Sequence, residues 1–582
     1  MSRKFDNYQK LNYSIPQETL LWNMYGPGLE NIGKDGKPEI QPVPEPGDDQ
    51  LLVRIDAVGM CFSDVKLIKQ GGAHPKLYNR DLKNNPTRVG HEAAMTVIKV
   101  GSKLADQYHP GQKLAIQPDI YHNKKSTAYG YTIPGGLIQY HLVGDEVLNA
   151  DDGNYVIPFE GDLSYAESAL TEPWACVVAA YTQRRRLSPK PGGTMWVLGS
   201  KRDQSLYDFS HGLDAPKTIV LSDVSPRFKA MVRGKIKPGT QILEINNIAP
   251  GDFEDINARV CDNAGFDDIV LLAPISAELV SEAVKLIAFR GTFNIVGNQP
   301  LDGPVKIDAS RIHYHYTTYI GNNSRDIARS YGEERNRCDL VDNGTLVVVG
   351  AGGPMGQMHV QRAIEMRDGP KRIIASDVNE KRLAELEKFI HPIAERNQKE
   401  ILFFNPSASD QSLIAFLKGV NNHQLADDVV VCVPIGPLME ASFSLVAPNG
   451  MFVLFAGAPV GTKMSIDISN IYMNNQQLTG TSGSTLNDQR MVIQNTIDGH
   501  LSPILSVAAV GGMEAALDGM EAMMTGKYAG KVVIFPQITG IPLTGLNVLH
   551  EQYPEIAEKL GDNNAWTLEA EKALIEKFWN RK

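Results

Sequence analysis

The chain repeats itself once. Gly193-Thr-Met-Trp-Val-Leu-Gly199 is echoed by Gly344-Thr-Leu-Val-Val-Val-Gly350, and Ile219-Val-Leu-Ser-Asp223 by Ile373-Ile-Ala-Ser-Asp377. Phe266-Asp-Asp-Ile-Val270 matches Ala426-Asp-Asp-Val-Val430. Gly291-Thr-Phe-Asn-Ile-Val-Gly297 matches Gly450-Met-Phe-Val-Leu-Phe-Ala456, and Ile307-Asp308 matches Ile466-Asp467. The second member of each pair follows the first by 151 to 160 residues, always in the same order. A nearly constant offset of one domain length is a duplication rather than a solenoid repeat. Each copy reads as alternating strand and helix, β-α-β-α. The expected fold class is therefore α/β, with two tandem doubly wound parallel sheets of the Rossmann kind, covered on both faces.

The copies differ at their first turn. In the second, Val347-Val-Val-Gly350-Ala-Gly352-Gly353-Pro-Met355-Gly356 leaves a strand and enters a helix with Val360, Ala363 and Ile364 on one face. Asp377 ends the next strand, 21 residues after Gly356. In that context a glycine-rich loop is a dinucleotide site: the glycines let the backbone approach a pyrophosphate resting on the helix N-terminus. Asp377 accepts from ribose hydroxyls and repels a 2′-phosphate, which favours NAD over NADP. In the first copy the turn is Gly199-Ser-Lys-Arg-Asp203. Side chains fill the pyrophosphate's space there, and Asp203 adds repulsion. Lys201 and Arg202 leave some capacity for an anion. The first copy is read as a scaffold without a tightly bound dinucleotide.

Ahead of the repeat, short strands such as 51–58, 94–100 and 113–118, punctuated by Pro and Gly, suggest a compact barrel-like unit. This part holds Gly59-Met-Cys61-Phe-Ser63-Asp64 and Gly90-His91-Glu92, and Leu170-Thr-Glu172-Pro173 follows in a helical stretch over 164–185 that Ser164 can cap. One thiol, one imidazole and two carboxylates are ligand types that zinc accepts, and an open catalytic site needs three. Asp64 can fix the His91 tautomer. Lys66, Lys76, Arg80, Lys83 and Arg88 are candidates for a phosphate anchor. The tail reads as two helices, 553–560 and 567–579, with their charges on a solvated face.

Net charge is −10, which argues against a nucleic-acid surface and suggests no anionic membrane partner. No apolar run approaches a membrane span, and the start leads into no apolar core of signal-peptide length. Five scattered cysteines without a Cys-x-x-Cys fit a reducing cytosol, so a cytoplasmic protein is expected.

The order Gly-x-Cys-x-Ser-Asp (59–64), Gly-His-Glu (90–92), Glu-Pro (172–173) and Gly-Pro-Met-Gly (353–356) resembles the zinc-dependent medium-chain dehydrogenases of the alcohol and sorbitol type. Gln117-Pro118, Tyr129-Gly-Tyr131, Gly265-Phe-Asp-Asp268 and Gly480-Thr-Ser-Gly-Ser484 look most like the sorbose-1-phosphate reductase branch. The likeness spans about 30–540, with one Rossmann copy more than family members have. It implies a GroES-like β-barrel zinc catalytic domain (1–185), a degenerate Rossmann-like domain (186–340), an NAD-binding Rossmann domain (341–500) and a segment over 501–582. That last segment returns to the catalytic domain and ends in a helical tail. It also implies zinc and nicotinamide meeting between the catalytic domain and the second copy.

The implied metal ligands are Cys61, His91, Glu92 and Glu172, one glutamate completing the sphere and the other orienting or exchanging with water. Ser63 is the first member of a proton relay, and Ser482 joins Gly350, Gly352, Gly353, Met355, Gly356 and Asp377 at the cofactor. Zinc then polarises a substrate oxygen while hydride passes to or from the nicotinamide. The implied partner is a small polyol, sugar or sugar phosphate, the implied assembly a homo-oligomer. Two other readings stand beside it: a non-catalytic nucleotide-sensing scaffold, motivated by the decayed first loop, and a zinc-free quinone reductase relative, which the four potential ligands disfavour.

Overall fold

The structure, a computed structural model, describes residues 4–182, 185–200, 203–481 and 483–580. It divides into two compact units: residues up to Ala179 together with those from Gly483 onward, and the stretch between them. The expected outer boundaries lie at 185 and 500. The chain changes unit a few residues earlier in the first case and some eighteen earlier in the second.

In the middle unit the strands of the first copy are Thr194–Leu198, Thr218–Ser222, Gln241–Glu244, Phe266–Leu272, Ile287–Val296 and Thr318–Asn322. They lie side by side in the order third, second, first, fourth, fifth, sixth, all parallel. The second copy (Thr345–Val349, Arg372–Ser376, Glu400–Phe404, Ala426–Val431, Val446–Leu454, Gln477–Gly480) repeats that order. This is the doubly wound dinucleotide topology, with its reversal between the first and fourth strands. Strand residues such as Leu346, Val347 and Val348 are wholly buried, as a parallel sheet covered on both faces requires.

The copies are not independent domains. Their sixth strands pair antiparallel, Tyr319 opposite Leu478, so the two sheets run on as one of twelve strands. Val305–Asp308 also pairs antiparallel with Lys463–Ile466. One apolar cluster crosses the join, taking Ile307, Ile312 and Tyr319 from the first copy and Met464, Tyr472 and Leu478 from the second. Burying that shared face is what merges the copies into one unit.

One expectation is corrected. Among the described residues no helix follows the first strand of the first copy, so that copy is not β-α-β-α throughout. Phe209 and Leu213 of the connecting segment pack on Ile219, Leu221 and Val232 instead. Its backbone pairs with the end of the copy: Asp208 N–H donates to Arg325 O, and Ile327 N–H to Asp208 O, both at 2.9 Å. Among the described residues, no helix there offers its N-terminus to a pyrophosphate.

The other unit is built on an eight-stranded sheet centred on Leu51–Gly59. Glu92–Val100 and Lys531–Phe535 flank that strand antiparallel, so a strand from near the C-terminus lies beside one from near the N-terminus. Helix Tyr165–Ala179 packs against both Leu51–Gly59 and Glu92–Val100. A helix start leaves amide hydrogens unpaired, and here two residues take three of them. Ser164 Oγ accepts from Glu167 N, as expected from the sequence. The Glu571 carboxylate accepts from Tyr165 N at 2.6 Å and Ala166 N at 2.9 Å. Glu571 belongs to helix Leu568–Phe578 and is fully buried, so the tail's charges are not all on a solvated face.

Burial pushes the Glu571 carboxyl up to about 7, against the two amides that favour its anion. A folded value above the unfolded one stabilises fully below the unfolded value near 4.5 and is lost as pH rises through about 7. Glu571→Gln is therefore expected to remove about 3 kcal/mol of pH-dependent stability between pH 4.5 and 7.5. The check is melting temperature against pH: the variant's curve must be flatter than the parent's over that window. No helix among the described residues is long and apolar enough to cross a membrane.

Candidate metal centre and nucleotide loop

Strand Leu51–Gly59 ends where Cys61 opens helix Phe62–Gln70, with the Cys61 N–H held by Asp64 Oδ2 at 3.1 Å. Glu92 is the register partner of Gly59 on the neighbouring strand. A Cβ at Gly59 would stand 2.1 Å from Glu92 Oε2, so any larger residue would displace that carboxylate. Gly90 turns the chain into the strand at φ +93°, a conformation that glycine adopts without strain.

These elements bring Cys61, His91 and Glu92 together, one donor atom from each within 4.8 Å of the others. Asp64 is wholly buried and does what the sequence suggested. Its Oδ1 lies 3.0 Å from His91 Nδ1, which leaves Nε2 for the cluster. Burial works against a charged imidazole, yet Asp64 and Cys61 outweigh it and raise His91 well above its ordinary value. Glu92 is also wholly buried. Its Oε1 takes the Lys531 ammonium at 2.5 Å, while Oε2 has no hydrogen-bond partner. A thiolate, an imidazole and a carboxylate oxygen with a free lone pair suit zinc, three ligands leaving a fourth position open. The unpartnered Oε2 is the atom that a cation would satisfy.

Glu172 lies outside that trio, although its buried carboxyl feels His91 and Glu92. Burial, then the Glu92 charge acting against the pull of His91, pushes it up to about 7. One helical turn on, Cys176 Sγ stands 3.9 Å from Glu172 Oε1 and 3.8 Å from Ser484 Oγ. Burial raises that thiol well above its usual range. Gln117 ties the loop down, its amide donating to Ser484 O and Oγ at 2.9 and 3.0 Å. Ser63 sits half-buried in the first turn after Cys61.

Of the five candidate phosphate anchors, two are structural, one is surface-exposed, and a fourth, Lys66, has its ammonium 5.9 Å from the ring of the exposed Phe62. Arg80 donates to the carbonyls of Asn85, Pro86 and Thr132. Arg88 is buried against Gly135 O and His141. Lys83 is exposed at the surface. Lys76 remains close: its ammonium lies 4.9 Å from the Tyr131 ring centroid, and that ring lies 5.9 Å from the His91 ring. Asp119 pairs with Lys76 at 2.5 Å. His74 packs on the same tyrosine, and burial followed by Lys76 and Lys66 lowers it to about 4.

In the second copy, Gly353 caps helix Pro354–Glu365 and Gly350 takes φ +82°. A Cβ at Gly356 would meet Gly350 O at 2.1 Å, so the turn is closed tightly against the helix. Met355 is half-buried in the first turn of that helix. Asp377 Oδ2 accepts the Gly352 N–H at 2.8 Å, which sets the carboxylate directly on the loop. In the first copy the corresponding Asp223 is engaged elsewhere, accepting from Asn247 and Ile248 N–H. Val378, beside Asp377, is 65% exposed, whereas its counterpart Val224 is 7% exposed. Ser482, Lys201 and Arg202 lie outside the described residues.

Comparison with known proteins agrees with this geometry. Residues 47–151 match the alcohol dehydrogenase GroES-like domain family, and 354–498 match the zinc-binding dehydrogenase family. A sorbitol dehydrogenase of Bombyx mori is 43% identical over 264 residues, 41% of this chain and 71% of its own. The chain belongs to the zinc-dependent medium-chain dehydrogenase superfamily. It is an oxidoreductase of the zinc-binding dehydrogenase type. An L-sorbose 1-phosphate reductase of Klebsiella pneumoniae is 27% identical over 320 residues, 52% of this chain and 75% of its own. A mannitol-1-phosphate 5-dehydrogenase of Aliivibrio fischeri is 22% identical over 543 residues, 92% of this chain and 93% of its own. That alignment runs through both copies. The expectation that family members lack the extra copy is thus corrected: a relative of similar length carries the whole span.

Two neighbours of the medium-chain dehydrogenase centre escaped the sequence reading. Lys531 lies 439 residues from Glu92. Its signal was a lysine opening an otherwise apolar strand, which has to find a counter-charge once buried. Cys176 was one helical turn beyond Glu172 and therefore on its face.

Proposed function

We propose that the chain is a zinc- and NAD-dependent dehydrogenase interconverting a secondary alcohol and a ketone on a polyol, sugar or sugar phosphate. The observation that carries this is the convergence of Cys61, His91 and Glu92 with one unpartnered carboxylate oxygen, the imidazole already oriented by Asp64. Held by these residues, zinc supplies a Lewis acid for the substrate oxygen, and NAD supplies the hydride acceptor. Ser63 Oγ accepts the alcohol proton as its own hydroxyl proton passes on toward solvent, the first link of a relay. The Glu172 carboxyl orients water or hydroxyl groups at the open position. Asp377 receives the adenosine ribose hydroxyls, with the exposed Val378 and Ile435 as an apolar ledge for the base.

A second cofactor reading has its own observation. Arg382 Cβ lies 2.9 Å from the place where a Gly352 Cβ would stand, so the side chain of Arg382 starts beside the loop that Asp377 holds. An arginine at that point is what a 2′-phosphate uses.

The test is zinc analysis of the purified chain together with NAD- and NADP-coupled screens of polyols and sugar phosphates. About one zinc per chain and NAD-linked turnover are expected. A chain that binds NADH and turns over none of them is the regulatory scaffold instead. Within an active chain, Lys76→Met should raise KM for a phosphorylated substrate about tenfold and leave its unphosphorylated analogue unchanged. Equal effects on both would remove Lys76 as a phosphate anchor.

A further inference from the structure

The sites that bind dinucleotide in doubly wound sheets lie at the carboxyl ends of the strands, spread across the reversal of strand order. In the second copy the phosphates belong at Gly350–Gly356 and the adenosine on the side of Asp377. The nicotinamide half then falls on the other side, at the ends of the fourth, fifth and sixth strands.

What stands at the end of the fifth strand does not belong to the second copy. Helix Ala309–His315 of the first copy reaches across the join. A Cβ on Gly457, just past strand Val446–Leu454, would lie 2.6 Å from Tyr314 Oη and 3.1 Å from His313 Nε2. The two rings are edge-on, 4.6 Å apart. Gly457 has no side chain to push them away. The same helix is anchored to this loop, with Ala309 N–H donating to Thr462 O at 2.9 Å and Gly461 N–H to Ser310 Oγ at 3.3 Å.

The mirror-image contact has been put to another use. Helix Ser469–Met473 of the second copy sends Tyr472 to the corresponding loop of the first. There its hydroxyl donates to Gln299 O at 2.6 Å, and the side chain is wholly buried. That loop is sealed, in the copy whose pyrophosphate turn lacks its helix. On the working side a histidine and a half-buried tyrosine hydroxyl occupy the matching place.

Resting on the dinucleotide reading above, we propose that the first copy completes the nicotinamide end of the second copy's site. His313 and Tyr314 are the groups that hydrogen-bond the carboxamide and fix which face of the ring is presented. The first copy is then a working part of the site that has given up its own nucleotide, and each chain binds a single dinucleotide.

The test uses the full-length, zinc-loaded chain and two ligands that differ by the nicotinamide alone, NADH and ADP-ribose, titrated by calorimetry. His313→Ala should weaken NADH about tenfold and Tyr314→Phe a few-fold, while ADP-ribose binding stays within about twofold for both. Unchanged NADH affinity in both variants overturns the proposal. So does an equal loss for the two ligands, which reports general damage to the sheet. Two NADH per wild-type chain would overturn its stoichiometry. If the wild type binds neither ligand, the dinucleotide reading itself fails, before His313 or Tyr314 is touched.

Discussion

Cys61→Ser is expected to bring bound zinc from about one per chain to near zero and to lower turnover by on the order of a thousandfold. The size follows from what the ligand set supplies. Stabilising developing charge on a substrate oxygen is worth several kcal/mol, and each ~1.4 kcal/mol is a factor of ten in rate. Serine is a poor zinc ligand at neutral pH, and Cys61 is the one thiol in the cluster with His91 and Glu92. Cys176, beside Glu172, is a thiol whose pKa burial raises well above its usual range. NADH affinity should be unchanged, because no residue of the loop at Gly350–Gly356 is altered. Zinc analysis, initial rates and NADH titration on one preparation check all three. Full activity with full zinc in the variant would remove Cys61 from the mechanism.

Lys531→Met is expected to be the most damaging single change for stability, about 3–5 kcal/mol. Lys531 is 2% exposed and Glu92 wholly buried, so the variant strands a carboxylate away from water. The burial that lowers a lysine is overcome here by Glu92, then Cys61, and the ammonium is held well above its usual value. The ammonium therefore stays charged throughout the neutral range. Two comparisons make the prediction specific. Glu92→Gln in the Lys531→Met background should recover much of the loss, since the stranded charge is gone. Zinc should also recover part of it in the single variant, because a bound cation takes over the neutralising role. Urea titrations with and without chelator give both numbers. A loss under about 1 kcal/mol in the chelated single variant would mean that removing Lys531 strands no buried charge, and would overturn the prediction.

Much of this was legible in the sequence because the informative spacings were short or repeated. The duplication showed in strand cores and in paired residues such as Asp267-Asp268 and Asp427-Asp428, which recur because each buried aspartate accepts the same kind of arginine: Arg186 meets Asp268, and Arg337 meets Asp428. Gly350 to Gly356 is one turn with one helix, so its chemistry is local. Cys61 and Asp64 share a helix start, which is why the role of Asp64 was readable. What escaped was set by tertiary approach. Lys531 and Glu571 reach their partners across more than 400 residues, so the sequence around either one does not say which residue it meets. The missing helix of the first copy escaped for a different reason. The stretch after Gly199 was read by analogy with its twin, whereas Phe209 and Leu213 packing on the sheet had already taken the space. His313 and Tyr314 carry no local signal in the sequence; the antiparallel join is what sets them beside Gly457.

That join, Tyr319 against Leu478, has a consequence for how such a molecule can change. Two identical chains meeting edge to edge must carry every substitution twice, so whatever one half gains the other half receives as well. Here the halves are linked by one polypeptide, and their meeting does not depend on concentration. Each half is free to vary alone. An alteration that spoils the first turn of one half leaves the other untouched, and a side chain can be selected on one side of the seam for work done on the other. The exchange of self-symmetry for covalent linkage is what permits a division of labour inside a single sheet.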